Sequence, residues 1–420
     1  MTRTTPLSRT IAMLALITAG EAVFLLPFMI GRVFRPTLLD VFQISNTELG
    51  IAYSTYGFVA IAAYFFGGPL ADRFSARWLM AIALVTTSAG GVVFATARSL
   101  QSLKLVYAFW GVTTILLFWA ALIRATREWG GGAKEGRAYG ILDGGRGLVA
   151  ALFATIALTL FTSMLPSDPD AATLEQRTEA LEMVIWLVAV FTAAVALLVL
   201  ICLPKSREAS ASSSTPEPRQ PFTLHGALQV MRMPALWLQG IIIVCAYVGY
   251  KSIDNAGLYA RDVYGYSDVQ AAQLGTLAFW VRPFAAVAAG FLGDRLQASR
   301  VAIGGFALFV VGNGLFAAGV IPPSAPWILT MTLIVSCVAF NGLRGIYFAL
   351  FREAKVPAAV TGSAVGVVSV IGYTPDVFMG PLMGVLTDSG PSGHYQLYAV
   401  VAGFGALGLL ATLLFRRLTR

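Results

Sequence analysis

The chain is poor in the residues from which most enzyme sites are built. Its 420 residues include two histidines, His225 and His394, and three cysteines, Cys202, Cys245 and Cys337. The histidines lie far apart, which argues against a histidine-based metal site or catalytic triad. The cysteines sit in or beside apolar runs, and an odd count there supplies neither a disulfide framework nor metal-binding spacing. No Walker loop is present, which argues against a pump driven by its own ATP hydrolysis. A lone Gly-x-Gly-x-x-Gly, Gly403 to Gly408, lies inside an apolar run with no strand before it, so the dinucleotide reading fails its context. Charge is scarce as well: 12% of residues are Asp, Glu, Lys or Arg, against about 25% in a soluble domain.

What fills the chain is apolar sequence. Hydrophobic residues make up 57% and the mean hydropathy is +0.75. Runs of about 20 apolar residues are long enough to span a bilayer as helices. Twelve such runs are expected, at about 10–34, 48–71, 76–97, 103–126, 137–163, 180–203, 235–260, 267–291, 299–320, 326–350, 358–387 and 393–415. The short alternating segments of a β-barrel are missing. The first run is too long for a signal-peptide core and has no small-residue cleavage site, so it reads as a retained helix. The polar stretch PKSREASASSSTPEPRQPF reads as a disordered linker, and TLHGALQVMRMPALW after it reads as an interfacial helix. The expected organisation is a six-helix half over 1–203, a linker with that helix over 204–234, and a second six-helix half over 235–420.

The net charge of +8 would suggest nucleic acid if the basic residues clustered on one soluble face. They sit instead in short loops between spans. The termini, the linker and the loops holding Arg73, Arg77, Arg127, Lys134, Arg295, Arg300, Arg352 and Lys355 form the basic side. The opposite loops hold only Arg35, Arg98, Lys104, Arg177 and Arg261. The positive-inside rule then places both termini in the cytoplasm.

A charged knot, GGPLADRFSARW, stands between spans two and three, and a near copy, GFLGDRLQASR, stands between spans eight and nine. Matching places in the two halves indicate an internal repeat. Glycines such as Gly68 permit close helix approach. Asp72 and Asp294 can face the positive end of a neighbouring helix. Arg73, Arg77, Arg295 and Arg300 can pair with carboxylates on facing helices. Such a knot can serve as a latch that holds the cytoplasmic side closed. The first knot resembles the signature loop of the major facilitator superfamily, Gly-x-Leu-Ala-Asp-Arg-x-x-x-Arg, with Ala76 where glycine is usual. The resemblance implies an all-α membrane protein of twelve transmembrane helices in two pseudo-symmetric six-helix halves, acting as a transporter. GRAYGILDGGRG and TGSAVGVVSVIGYTPD resemble, more loosely, members related to sugar-phosphate and organic-anion carriers.

An ionisable side chain within a span costs about 2.5–3.5 kcal/mol on insertion scales, so each one needs a reason. The basic ones are Arg32, Arg124, Arg146, Lys251, Arg282 and Arg344; the acidic ones are Glu21, Asp143, Asp254 and Asp376. An excess of positive charge suits an anionic ligand. Arg32 and Lys251 occupy equivalent spans of the two repeats, and the resemblance implies that basic residues there clamp an anion. Arg35 is the alternative to Arg32. Arg282 has no acid within a helical turn and is the best expected substrate contact, unless Asp376 or Glu21 reaches it across helices. Arg344 is expected to line the cavity of the second half or to lock onto Asp294, and Tyr250 and Tyr373 are expected to contact a small polyol. Lys251 has Asp254 at i+3 as a possible partner, and Asp143 and Arg146 lie one turn apart. Asp143, Arg146 and Arg124, the last with Glu128 at i+4, are expected to act in gating. Glu21, Asp254 and Asp376 are the candidates for binding a proton.

The expected function is a secondary active transporter of a small organic anion, a carboxylate, sugar acid, sugar phosphate or sulfonate. It would be driven by proton symport or anion exchange as a monomer in the cytoplasmic (inner) membrane, without metal, cofactor or nucleic acid. The alternatives are a non-transporting sensor of the same fold and an exporter of drug-like compounds, which would require an acid-rich cavity.

Overall fold

The computed structural model describes residues 6–96, 99–130, 135–203, 232–354 and 361–419. The linker, with most of its expected interfacial helix, lies outside the described residues. Among the described residues, eleven continuous helices are long and apolar enough to cross a membrane. They are α1 (Leu7–Val33), α2 (Asn46–Ala71), α3 (Ala76–Thr96), α4 (Leu100–Gly130), α5 (Ala138–Met164), α6 (Leu174–Cys202), α7 (Pro234–Tyr264), α8 (Asp268–Leu296), α9 (Ala298–Ala318), α10 (Pro326–Ala349) and α12 (Pro391–Thr419). The remaining span, α11, comes in two pieces, α11a (Thr361–Gly372) and α11b (Pro375–Thr387). Pro375 causes the break: it has no N–H to continue the ladder and suits the first turn of a new helix.

The halves repeat one packing plan. α3 packs on α6 as α9 packs on α12, α2 on α4 as α8 on α10, and α1 on α6 as α7 on α12. Adding six to each number in the first half gives the second. Even the helix starts repeat, because α2 and α8 each open on a serine capping box, Ser45 with Glu48 and Ser267 with Gln270. Between halves, α2 lies against α11b and α5 against α8, a relation that obeys the same symmetry.

The bundle closes at the end remote from the termini, here the distal end. There α2 and α11b touch backbone to backbone. A Cβ on Gly50 would stand 2.1 Å from the Gly380 carbonyl oxygen, so neither position has room for a side chain. Asp388 at the end of α11b accepts from the backbone N–H groups of Asn46 and Thr47 at 3.0 and 2.9 Å. It thus caps the positive N-terminus of α2 across the divide between halves. The Asn46 side chain also donates to Thr387. Beside them, Arg177 and Arg261 both reach Asp40, at 3.3 and 3.0 Å, and Thr37 donates to Asp268 at 2.8 Å.

The end near the termini, the proximal end, is looser. A Cβ on Gly68 or Gly290, the glycines of the two knots, would meet nothing within 4 Å. Arg73, Asp294, Arg295 and Arg300 are exposed, and the Asp72 side chain lies outside the described residues. Arg77 donates to the Leu203 carbonyl within its own half, at 3.5 Å. Arg124 pairs with Glu128 at 2.7 Å and donates to the Ala71 carbonyl, holding the end of α2 beside the knot.

Candidate functional site

Halfway along the bundle the halves enclose a cavity. It holds about 850 Å³ of space free of atoms, part of it open to solvent. Aromatic rings line both halves, among them Phe24, Phe28 and Trp119 on one side and Tyr247, Tyr250 and Tyr373 on the other. Local irregularities in the helices turn these groups inward. α1 widens over Leu25–Met29 around Pro27, whose carbonyl accepts from Tyr107 at 3.0 Å. α4 widens likewise over Val112–Trp119, and α7 tightens over Ile253–Asn255. Wide turns of this kind concentrate at functional sites.

The ionisable residues expected from the sequence meet here as two ion-pair clusters. In the first, Arg32 Nε lies 2.5 Å from Asp254 Oδ1, and Lys251 Nζ lies 3.9 Å from the other Asp254 oxygen and 3.1 Å from Asp376. Tyr247 donates to Asp376 at 3.1 Å. Arg32 is 4% exposed and Lys251 2%, so both point inward rather than reaching for an interface. In the second cluster, Glu21 lies 3.2 Å from both Arg282 and Arg146. Asp143 stands 3.5 Å from Arg282 and 3.8 Å from Arg146. Arg146 further donates to the Gly20 carbonyl at 2.9 Å. Arg282, isolated within its own helix, is thus partnered across the halves by Glu21 of α1 and Asp143 of α5. Such buried pairs fix the arrangement of helices more than they add net stability.

Arg344 differs from all of these. Its Nε and Nη1 have no hydrogen-bond partner, and among the described residues no carboxylate forms an ion pair with it. Its guanidinium rests 3.7 Å from the centre of the Tyr250 ring. Arg32 sits 4.4 Å from the same centre and donates to the Tyr250 hydroxyl at 3.1 Å. Tyr373 joins Tyr347 hydroxyl to hydroxyl at 3.2 Å and stacks on Tyr64 of the opposite half at 6.1 Å. Arg35 does not line the cavity. It is fully buried, donates to Asn46 at 2.8 Å, and is 5.7 Å from the ring of Tyr53.

The distal contacts of Asp40, Asn46, Arg177, Arg261, Asp268 and Asp388 were not visible in the sequence as a gate. Each sits at a helix end, where a polar residue is ordinary, and no spacing brings them together. Their one signal was the small number of basic residues on that side, which makes each acid opposite them informative.

The profile of the Major Facilitator Superfamily matches residues 11–375. The chain therefore belongs to this superfamily, and it is a multi-pass membrane transporter of that fold rather than an enzyme. It is 27% identical over 380 residues to the inner membrane protein YqcE of Escherichia coli (strain K12), covering 88% of this chain and 86% of that one. It is 26% identical over 353 residues to the probable nitrate/nitrite transporter NarK2 of Mycobacterium tuberculosis (strain ATCC 25618 / H37Rv), covering 80% of each. Among solved structures, a bacterial homolog of the human lysosomal transporter Spinster, inward-facing and unoccupied, superposes with TM-score 0.75 at 16% identity, covering 98% of both chains. The nucleoside transporter NupG gives TM-score 0.72 at 15% identity, covering 98% of this chain and 99% of that one.

Proposed function

We propose that this chain carries a small organic anion across the cytoplasmic membrane by alternating access, with Arg344 as the anchor for the anionic group. The observation that carries the reading is the open guanidinium of Arg344 in an aromatic cavity where the other cations already have carboxylate partners. A partly buried cation with free N–H groups is a strong attractor for a carboxylate, sulfonate or phosphate oxygen. The tyrosine hydroxyls supply contacts for a hydroxylated body, with Tyr250 and Tyr373 facing it. Arg32, Lys251 and Arg282 shape the site and are held in place by Asp254, Asp376 and Glu21. These acids are committed to cations, which favours exchange of anions over proton symport as the energy source. The name of NarK2 as a probable nitrate/nitrite transporter accords with an anionic cargo, and that of YqcE accords with an inner membrane.

The distal closure and proximal looseness correspond to a state open towards the termini. With both termini cytoplasmic, as the basic loops indicate, this is the inward-facing state. The test is uptake of radiolabelled gluconate, propanesulfonate and glucose 6-phosphate, with glucose as the neutral control, into proteoliposomes preloaded with the same anion or left empty. Saturable anion uptake that requires preloading and is lost in Arg344→Gln supports the reading. Uptake of glucose alone refutes it.

A further inference from the structure

The charges around the cavity can be matched one against another. The first cluster sets Arg32 and Lys251 against Asp254 and Asp376. The second sets Arg146 and Arg282 against Glu21 and Asp143. Each cluster balances, and Arg344 is left over with two nitrogens that donate to nothing. Among the described residues, the site thus offers a ligand one open cation. Arg35 has two unpartnered nitrogens as well, but Tyr53 stands beside it and Lys251 alike, at 5.7 and 5.6 Å, and Arg35 is absent from the cavity wall. A ligand in the cavity does not reach it.

We propose that the cavity is a charge filter, accepting small organic ligands with a single negative charge, carboxylates and sulfonates, and rejecting dianions such as phosphate monoesters. This rests on the anion-carrier reading above and narrows its substrate class. The physical reason is the closing of the cavity. While it is open, water screens only part of any imbalance. Once both ends shut around the ligand, aromatic walls replace that water, and unbalanced charge becomes costly. A monoanion on Arg344 leaves the closed cavity balanced. A dianion leaves one negative charge without a counterpart. To recruit a second cation it must pull Arg32, Lys251, Arg282 or Arg146 from a carboxylate, leaving that acid stranded instead. Two of those pairings, Arg32 with Asp254 and Arg282 with Glu21, also join the halves, so a dianion would break the contacts that hold the cavity together.

The experiment compares probes that differ mainly in charge: propionate, propanesulfonate and gluconate against propyl phosphate, succinate and glucose 6-phosphate. Binding to the purified full chain is read by the shift in unfolding temperature on titration, from pH 8 to pH 5. At pH 8 the best monoanion should bind about tenfold or more tightly than the best dianion. A phosphate monoester has its second pKa near about 6. Propyl phosphate should therefore gain about tenfold as pH falls, while propanesulfonate, charged once throughout, sets the baseline for any titration of the protein itself. Asp143→Asn removes one negative charge at a half-exposed position, its side chain 54% accessible, and so leaves the cavity a net charge one unit more positive. It should bring propyl phosphate at pH 8 to within about threefold of propanesulfonate. Equal binding of mono- and dianions at pH 8 in the unmodified protein, or a phosphate ester that follows the sulfonate baseline, overturns the filter while leaving the anion carrier standing. If no anion in the set binds, or Arg344→Gln binds them all as before, the anion-carrier reading itself falls.

Discussion

Arg344 lies with its guanidinium 3.7 Å from the centre of the Tyr250 ring, a contact that holds the cation over an aromatic face and leaves Nε and Nη1 undonated. A cation–π contact orients the charge without neutralising it. An arginine that paired with a carboxylate would be satisfied and of little use to an incoming anion. Stacked on tyrosine, it is positioned and still available. Replacing Arg344 by glutamine should weaken a carboxylate or sulfonate probe by about 10- to 100-fold, matching roughly 1.5–3 kcal/mol for a charged hydrogen bond. Lysine should fall between, because it restores the charge but not the flat group that rests on the ring. The Michaelis constant for uptake is the readout.

The pair of Arg32 and Asp254 makes a different prediction, about stability. Asp254→Asn leaves Arg32 buried beside a neutral amide, and breaking one side of a buried pair costs roughly 3–5 kcal/mol. The apparent unfolding temperature in detergent should drop clearly. The double change Arg32→Gln with Asp254→Asn should recover part of that loss, since no stranded charge remains. A double variant less stable than Asp254→Asn alone would show that the pair does not act as a unit.

Asp388 ties α2 to α11b through two backbone N–H groups. Asp388→Ala should loosen the distal end by about 1–2 kcal/mol, a five- to thirtyfold change in the ratio of closed to open forms. Spin labels placed on the distal ends of α2 and α11b would read this as a larger population at long separation. An unchanged distance distribution would mean that the glycine contact alone sets the closure.

The glycine contact has its own test. Gly50→Leu places a side chain where even a Cβ meets the Gly380 carbonyl oxygen at 2.1 Å. The distal end should no longer shut, so transport should fall to background while the protein remains folded and monodisperse. Thiol reagents should then reach cysteines introduced on the distal faces of α2 and α11b.

Much of this was legible in the sequence because a bilayer imposes simple rules. Helix length follows from thickness, so the spans came out within about six residues of their expected bounds. Each ionisable residue flagged within a span, save Arg124, stands at or beside the cavity, because the cost of burying charge leaves few other reasons for it. The pairing was legible only in part. The local pairs Lys251–Asp254 and Asp143–Arg146 follow from helical spacing, and Glu21 stood as one of two candidate partners for Arg282. The second partner of Arg282, Asp143, comes from α5, a separation that no local pattern encodes. Arg344 looked like one cation among several, and only the absence of a partner in three dimensions set it apart. The distal contacts were hidden for the opposite reason: Asp388, Asn46 and Asp268 are ordinary helix-end residues until the opposite half is brought up against them.

The tie between Glu21 and Arg282 has a mechanical consequence. Arg282 lies fourteen residues from either end of α8, which runs from Asp268 to Leu296. At about 1.5 Å per residue the helix is an equal-armed lever of roughly 21 Å on each side of that tie. With the fulcrum there, each degree of tilt swings both tips by about 0.4 Å in opposite directions. The span gained at one mouth is then surrendered at the other, and the two mouths cannot gape together.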